Sequence, residues 1–414
     1  MAEAALEGLR VLEFARFVSG PYCSRLLADL GAEVIKVEEP GVGDEARMRG
    51  PFPDDVPHPE KSGLFIYLNM NKQGITLDLK KARGRELFKT LVRDTDVLVE
   101  NNPLPLMKEL GLDYCSLQRV NPLLVMTSIT PFGQTGPYAE YKSCYLNTFH
   151  GGGEGYLLPA GLGYVLYPYR EPIKAGGFIG EYDIGLAAAI ATLGAYSQAQ
   201  ISGEGQYVDV SGTEVIAGLM RYEFAPYNDG WVVNRASWAL PVGGLVQCRD
   251  GFVELMPLME HMYEGLLELI DPGLAQDERY QYKNIMLSYA RPVGGDEDDV
   301  RQDLKDIIEA WALKHTKEDI YHQAQAKGCA AGIIATPEDV LNSEQLKARR
   351  LFVEIDHPEA GAVKCPSSPC IFSQTPWQFR RHAPRLGEHN GDILCGRIGL
   401  SRQELSELNE KGVI

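Results

Sequence analysis

Two acids, Glu181 and Asp183, stand where a glycine-rich turn meets an apolar run of small residues extending from Ile184 to Tyr196. The run reads as a buried helix that begins near Ile184. A carboxylate just ahead of a helix N-terminus feels the positive end of the backbone dipole, stays ionised at neutral pH and can act as an anchored nucleophile or base. The plainer role for Asp183 is that of N-cap, accepting hydrogen bonds from the first free amides of that helix. Glu181, further out and preceded by Gly180, is the stronger candidate for chemistry.

Other chemistries find little support. The eight histidines are scattered with no H-x-x-x-H or H-E-x-x-H spacing, and the eight cysteines form no C-x-x-C pair, so no metal is expected. Cys365 and Cys370 bracket a Pro-Ser-Ser-Pro turn, the one spacing suited to a disulfide or metal; ordinary reduced thiols are the expected state throughout. A formal charge of −17 over 414 residues, without a basic stripe, argues against nucleic acid as a partner. The first ten residues lack the basic start and apolar run of a signal peptide, and the Ile184–Tyr196 run is too short to span a bilayer. A cytoplasmic protein that does not engage membranes is the expectation.

The elements that must position the acids follow from periodicity. Leu9 to Phe14 reads as a buried strand, Pro21 to Gly31 as a helix and Glu33 to Val37 as the next strand, a βαβ unit. Strands at 75–79, 96–100 and 123–129, with helices at 83–94 and 107–110 between them, extend the pattern to an α/β fold with a Rossmann-like parallel sheet. Neither glycine cluster, at 41–43 or 151–155, supplies G-x-G-x-x-G between a strand and a helix, so a dinucleotide is not expected. Ligands of open α/β sheets bind at the carboxyl ends of the strands. That directs attention to the loops at 18–21, 38–44, 77–80, 101–103 and 130–138. After a helix at 213–222, a linker over 223–241 leads to a smaller α+β domain over 242–315, with a hairpin turning at Arg249-Asp250-Gly251. Further expected elements are a helix at 317–327, a strand at 332–336 and a hairpin over 352–364.

Blocks along nearly the whole chain resemble the class III CoA-transferase family, the CaiB/BaiF type that includes formyl-CoA transferase. They run from L-E-G-L-R-V-L-E-F and L-L-A-D-L-G-A-E-V-I-K-V-E through N-K-Q-G-I-T-L-D-L-K, V-E-N, S-I-T-P-F-G-Q-T-G-P-Y and S-G-E-G-Q-Y-V-D-V-S to P-R-L-G-E-H. The resemblance implies transfer of coenzyme A from an acyl-CoA thioester to a carboxylic acid through a single side-chain carboxylate, with no metal. It also implies an interlocked homodimer whose large domain is built from residues 1–222 and, beyond the small domain, from 316–414.

The family's nucleophilic aspartate follows the glycine matched by Gly180, so Glu181 takes its place, with Asp183 as the alternative. Motif positions assign CoA contacts to Val18, Ser19, Leu77, Asp78, Leu79, Lys80, Asn101, Asn102 and Tyr145. His150, Arg170, Gly243 and Gly244 are candidates for the acyl pocket and the glycine loop over it. Glu39 and Glu109 stand where relatives often carry cations for the CoA phosphates, leaving Lys36, Lys80 or Lys108 to supply the charge. Two competing readings are a racemase of the alpha-methylacyl-CoA type, against which Tyr145 occupies the place of the expected histidine, and a non-catalytic subunit of a heteromeric transferase.

Overall fold

The computed structural model of the protein describes residues 4–158, 167, 169–220, 242–286 and 296–414. Six parallel strands carry the fold: β1 (Arg10–Phe14), β2 (Glu33–Glu38), β3 (Gln73–Thr76), β4 (Val97–Glu100), β5 (Val125–Thr130) and β6 (Tyr207–Ser211). Their spatial order is β3-β2-β1-β4-β5-β6, the doubly wound arrangement of a Rossmann sheet. Alternate residues of each strand feed opposite cores. Val11, Val34, Val97 and Val125 pack on one face with the long helix Ile179–Ser202. Leu12, Ile35, Leu98 and Met126 pack on the other with the helix Ala82–Val92. Burial on both faces is why these strands read as continuous apolar runs.

Chain ends meet in this unit. Ile393, Leu394, Leu408 and Val413 join the second of those cores. The edge strand β3 is capped by the same segment, through Gly74 N to His389 Nδ1 (3.1 Å) and Thr76 N to Asn390 Oδ1 (2.8 Å). The strand pair β10 (Phe352–His357) and β11 (Gly361–Pro366) belongs here as well.

A second unit draws on Tyr156–Ile173 and Pro226–Ser343. Its sheet has the order β7-β8-β9, all antiparallel: β7 (Gly244–Cys248), β8 (Gly251–Met256) and β9 (Ala330–Ile333). Helices Glu260–Ile270 and Lys317–Ala326 share the core of that sheet through Tyr263, Leu266, Leu267, Ile320 and Ala324. The return to the first unit therefore comes at Glu344 and not at 316, because β9 pairs with β8 from Val253↔Ile333 to Met256↔Ala330. The described residues among 156–173, expected in the large domain, also fall in the second unit. The linker placed over 223–241 lies outside the described residues.

The helix that carries the acids starts five residues earlier than its apolar run suggests, at Ile179. Phe178 is its N-cap and makes no side-chain cap hydrogen bond. Aromatic packing fixes the start instead: the Phe178 ring lies edge-on to Phe17 at 4.8 Å and to Tyr145 at 5.0 Å. Asp183 is thus inside the helix and not its cap. Glu181 sits in the first turn, where the dipole favours an acid.

Candidate active site

Close helix packing sets the position of Glu181. At Gly185, one turn further along the same face, an added Cβ would lie 2.6 Å from the Ser19 carbonyl oxygen and 3.1 Å from Tyr22 Cβ. Only glycine lets this helix approach the helix Ser19–Asp29 so closely, and that approach brings Ser19 to the Glu181 carboxyl group. Burial pushes the Glu181 pKa up, the Ser19 hydroxyl pulls it down by hydrogen bonding, and the like charge of Glu45 pushes it up again. A carboxylate that has shed part of its water is a better nucleophile than one fully solvated. Two residues on, and so on another face of the helix, Asp183 is raised by burial alone.

Two clefts open at the carboxyl ends of the strands in this unit. The first, about 140 Å³, is lined by Leu77, Asp78, Leu79, Lys80 and Asn102, together with Arg16. The second, about 400 Å³, is lined by Ser19, Asn101, Tyr145, Glu181 and Arg49, again with Arg16. Nine of the expected residues therefore gather on two clefts that share one arginine. Val18 does not: it is fully buried in an apolar cluster with Phe65 and Leu68. Asp183 and His150 line neither cleft. The His150 ring fills the space beside Gly155, where any Cβ would collide with Nδ1, and the racemase reading gains no base from it. Arg170, Gly243 and Gly244 belong to the second unit. There Gly243 (φ +93°) enters the β7–β8 hairpin against the Leu255 carbonyl, with φ +76° at Gly244 behind it.

The turn between the clefts is held from below by a buried charge network. Asn101 accepts from the Arg16 amide (2.9 Å) and donates to the Arg16 carbonyl (2.8 Å). Phe17, in the left-handed region at φ +65°, donates its amide to Asp44 Oδ1 at 2.8 Å. Asp44 Oδ2 in turn takes Lys36 Nζ at 2.8 Å, and Lys36 also donates to Glu13 at 2.7 Å. Lys72 completes the set on Glu13 at 2.8 Å. Burial alone would raise the Glu13 pKa, but Lys36 and Lys72 together hold it down at about 2. Burial brings Lys72 down to about 8 against the pull of Glu13, whereas Asp44 and Glu13 outweigh burial at Lys36 and raise it. Lys36 is therefore spent inside the protein and is no phosphate ligand. Lys80 is exposed and paired to Glu39 at 2.6 Å on the first cleft, and Lys108 lines a different cleft near Tyr114. Arg16, Arg49 and Glu45 were not foreseen, since single charges on loops leave no periodic or motif signal.

Residues 6–390 match CoA-transferase family III. The chain belongs to that family. The similar proteins of this enzyme class include a succinate–glutarate CoA-transferase from Agrobacterium fabrum, 32% identical over 400 residues, covering 94% of this chain and 95% of the relative. Another is a succinyl-CoA–D-citramalate CoA-transferase from Chloroflexus aurantiacus, 31% identical over 417 residues and covering 99% and 98%. The crystal structure of a CaiB/BaiF family protein from Brucella suis superposes with a TM-score of 0.80 at 30% identity, covering 97% and 99% of the two chains. Membership of the CoA-transferase family accounts for the α/β fold and for coenzyme A thioesters as substrates. Among the described residues no His, Cys, Asp and Glu cluster is placed to hold a metal, Cys365 and Cys370 are free thiols, and no helix is long and apolar enough to cross a membrane.

Proposed function

We propose that Glu181 is the side chain that carries the transferred group. Its carboxylate attacks the carbonyl carbon of a bound acyl-CoA, forming a mixed anhydride and releasing CoA thiolate. The thiolate attacks the Glu181 carbonyl, freeing the donor acid and leaving a glutamyl-CoA thioester. An acceptor carboxylate then attacks that thioester, and the released thiolate takes the new acyl group, restoring the Glu181 carboxylate. One thioester is exchanged for another of similar energy, so no ATP is required.

The observation that carries this reading is the sharing of Arg16 between the cleft lined by residues 77–80 and the cleft lined by Glu181. Coenzyme A lies along the first with its sulfur at the second, and Lys80 is the cation offered to its phosphates. Asn101, Asn102, Ser19 and Tyr145 flank the thioester arm. The acids named for the relatives' reactions (succinate, glutarate and D-citramalate) are dicarboxylic, so succinyl-CoA with glutarate is the first pair to assay. An interlocked homodimer in the cytoplasm completes the proposal.

Glu181→Gln and Glu181→Asp variants, followed by thioester exchange, test it. Glutamine abolishes turnover. Aspartate withdraws the carboxylate by about 1.5 Å and lowers kcat by about 10²-fold. Wild-type turnover in the glutamine variant would exclude Glu181 as the carrier.

A further inference from the structure

The acyl cleft holds an unusual balance of charge. Arg16 and Arg49 both line it, both are exposed, and among the described residues neither guanidinium has an anionic partner. The other charged groups on its wall are Glu45 and Glu181. A third polar group is incomplete: Thr130, only 6% exposed, lines the same cleft with its hydroxyl oxygen unpaired among the described residues. A buried hydroxyl left without a partner is uncommon, and here it stands on the wall of a cleft of ligand size.

From this arrangement we infer that Arg49, assisted by Arg16, selects a dicarboxylic acid by gripping the carboxylate that does not react. This rests on the reading of Glu181 as the acyl carrier. With Glu181 ionised, two arginines face two glutamates and the cleft is neutral. Once Glu181 becomes an anhydride or a CoA thioester, its charge is gone and the cleft carries one net positive charge. The covalent step itself therefore prepares the cleft for an incoming anion. A guanidinium pairs with a carboxylate through two parallel N–H···O bonds, a geometry a butyrate methyl group cannot use. Arg49 is the diagnostic residue because, unlike Arg16, it does not also line the CoA cleft. Arg49 is exposed, its guanidinium carbon 5.9 Å from the Phe17 ring centre, so replacing its side chain does not threaten folding.

Titration calorimetry on the full chain carrying Glu181→Gln, whose neutral side chain stands in for the acylated state, reads the cleft without turnover. Succinate is expected to bind that variant about fivefold tighter than it binds the wild-type protein at pH 7.5, and at least about tenfold tighter than butyrate does. Adding Arg49→Met removes about 10- to 100-fold of the succinate affinity and leaves butyrate unchanged, whereas Arg49→Lys recovers only part of the loss. Equal binding of succinate and butyrate, or no effect of Arg49→Met on succinate, overturns the inference. Undiminished CoA transfer by Glu181→Gln would instead remove the acyl-carrier reading, while the calorimetry would still decide what Arg49 recognises.

Discussion

Gly185→Ala should injure catalysis more than stability. The new methyl group would meet the Ser19 carbonyl at 2.6 Å, and ordinary contact starts at 3.4 Å, so the two helices must part by about 0.8 Å. Such overpacking costs about 1–3 kcal/mol. Replacing glycine by alanine inside a helix returns close to 1 kcal/mol. The net loss is about 0–2 kcal/mol, read as a fall of at most a few degrees in Tm. The same displacement carries Glu181 away from Ser19, since residues 181 and 185 share one face of the helix. A shift near 1 Å at a reacting group lowers the rate by about 10²-fold, so kcat should drop roughly 10- to 100-fold. The KM for the thioester should hold, because the segment 77–80 lines the other cleft. Steady-state thioester exchange and thermal unfolding on the same samples provide both numbers. A Gly185→Ala protein with wild-type kcat would refute the claim that this glycine places the acid.

Three further outcomes follow from the charges. Burial raises the Glu181 pKa in the folded state, so the ionised form destabilises the fold at neutral pH and the protonated form does not. Glu181→Gln should therefore melt higher than wild type at pH 7–8, the advantage vanishing as pH falls below the ordinary carboxyl value near 4.5; an advantage that grew in acid would contradict it. In the wild-type pH profile, the acidic limb of kcat/KM should lie above that ordinary value, and a limb below it would rule out a desolvated nucleophile. Asp44→Asn leaves Lys36 without one of its two buried carboxylates and weakens the hold on Phe17, costing about 3–5 kcal/mol in urea unfolding; a change under 1 kcal/mol would mean the network is dispensable.

Much of the sheet was legible because strands buried on both faces announce themselves as apolar runs. β1, β2, β4 and β5 each fall within a residue or two of their expected bounds. The loops singled out after these strands do line the two clefts. The start of the long helix was not legible, since Asp183 has the sequence signature of a cap. What fixes the true start is the packing of Phe17, Tyr145 and Phe178, residues far apart in the chain. Lys36 looked like a free surface cation for the same reason: its partners Glu13 and Asp44 reach it only after the sheet has formed. The late return of the chain at Glu344 depends on β9 finding β8, a pairing across some eighty residues that a four-residue strand does not advertise.

The most direct test is to incubate the protein with succinyl-CoA, quench with hydroxylamine and locate the adduct by peptide mass spectrometry. Hydroxylamine cleaves an acyl-activated carboxyl group and leaves a hydroxamate on the side chain that carried it. The account predicts a hydroxamate on Glu181, dependent on the thioester and absent from Glu181→Gln. A hydroxamate on Asp183, or no adduct at all while CoA transfer proceeds, would contradict it.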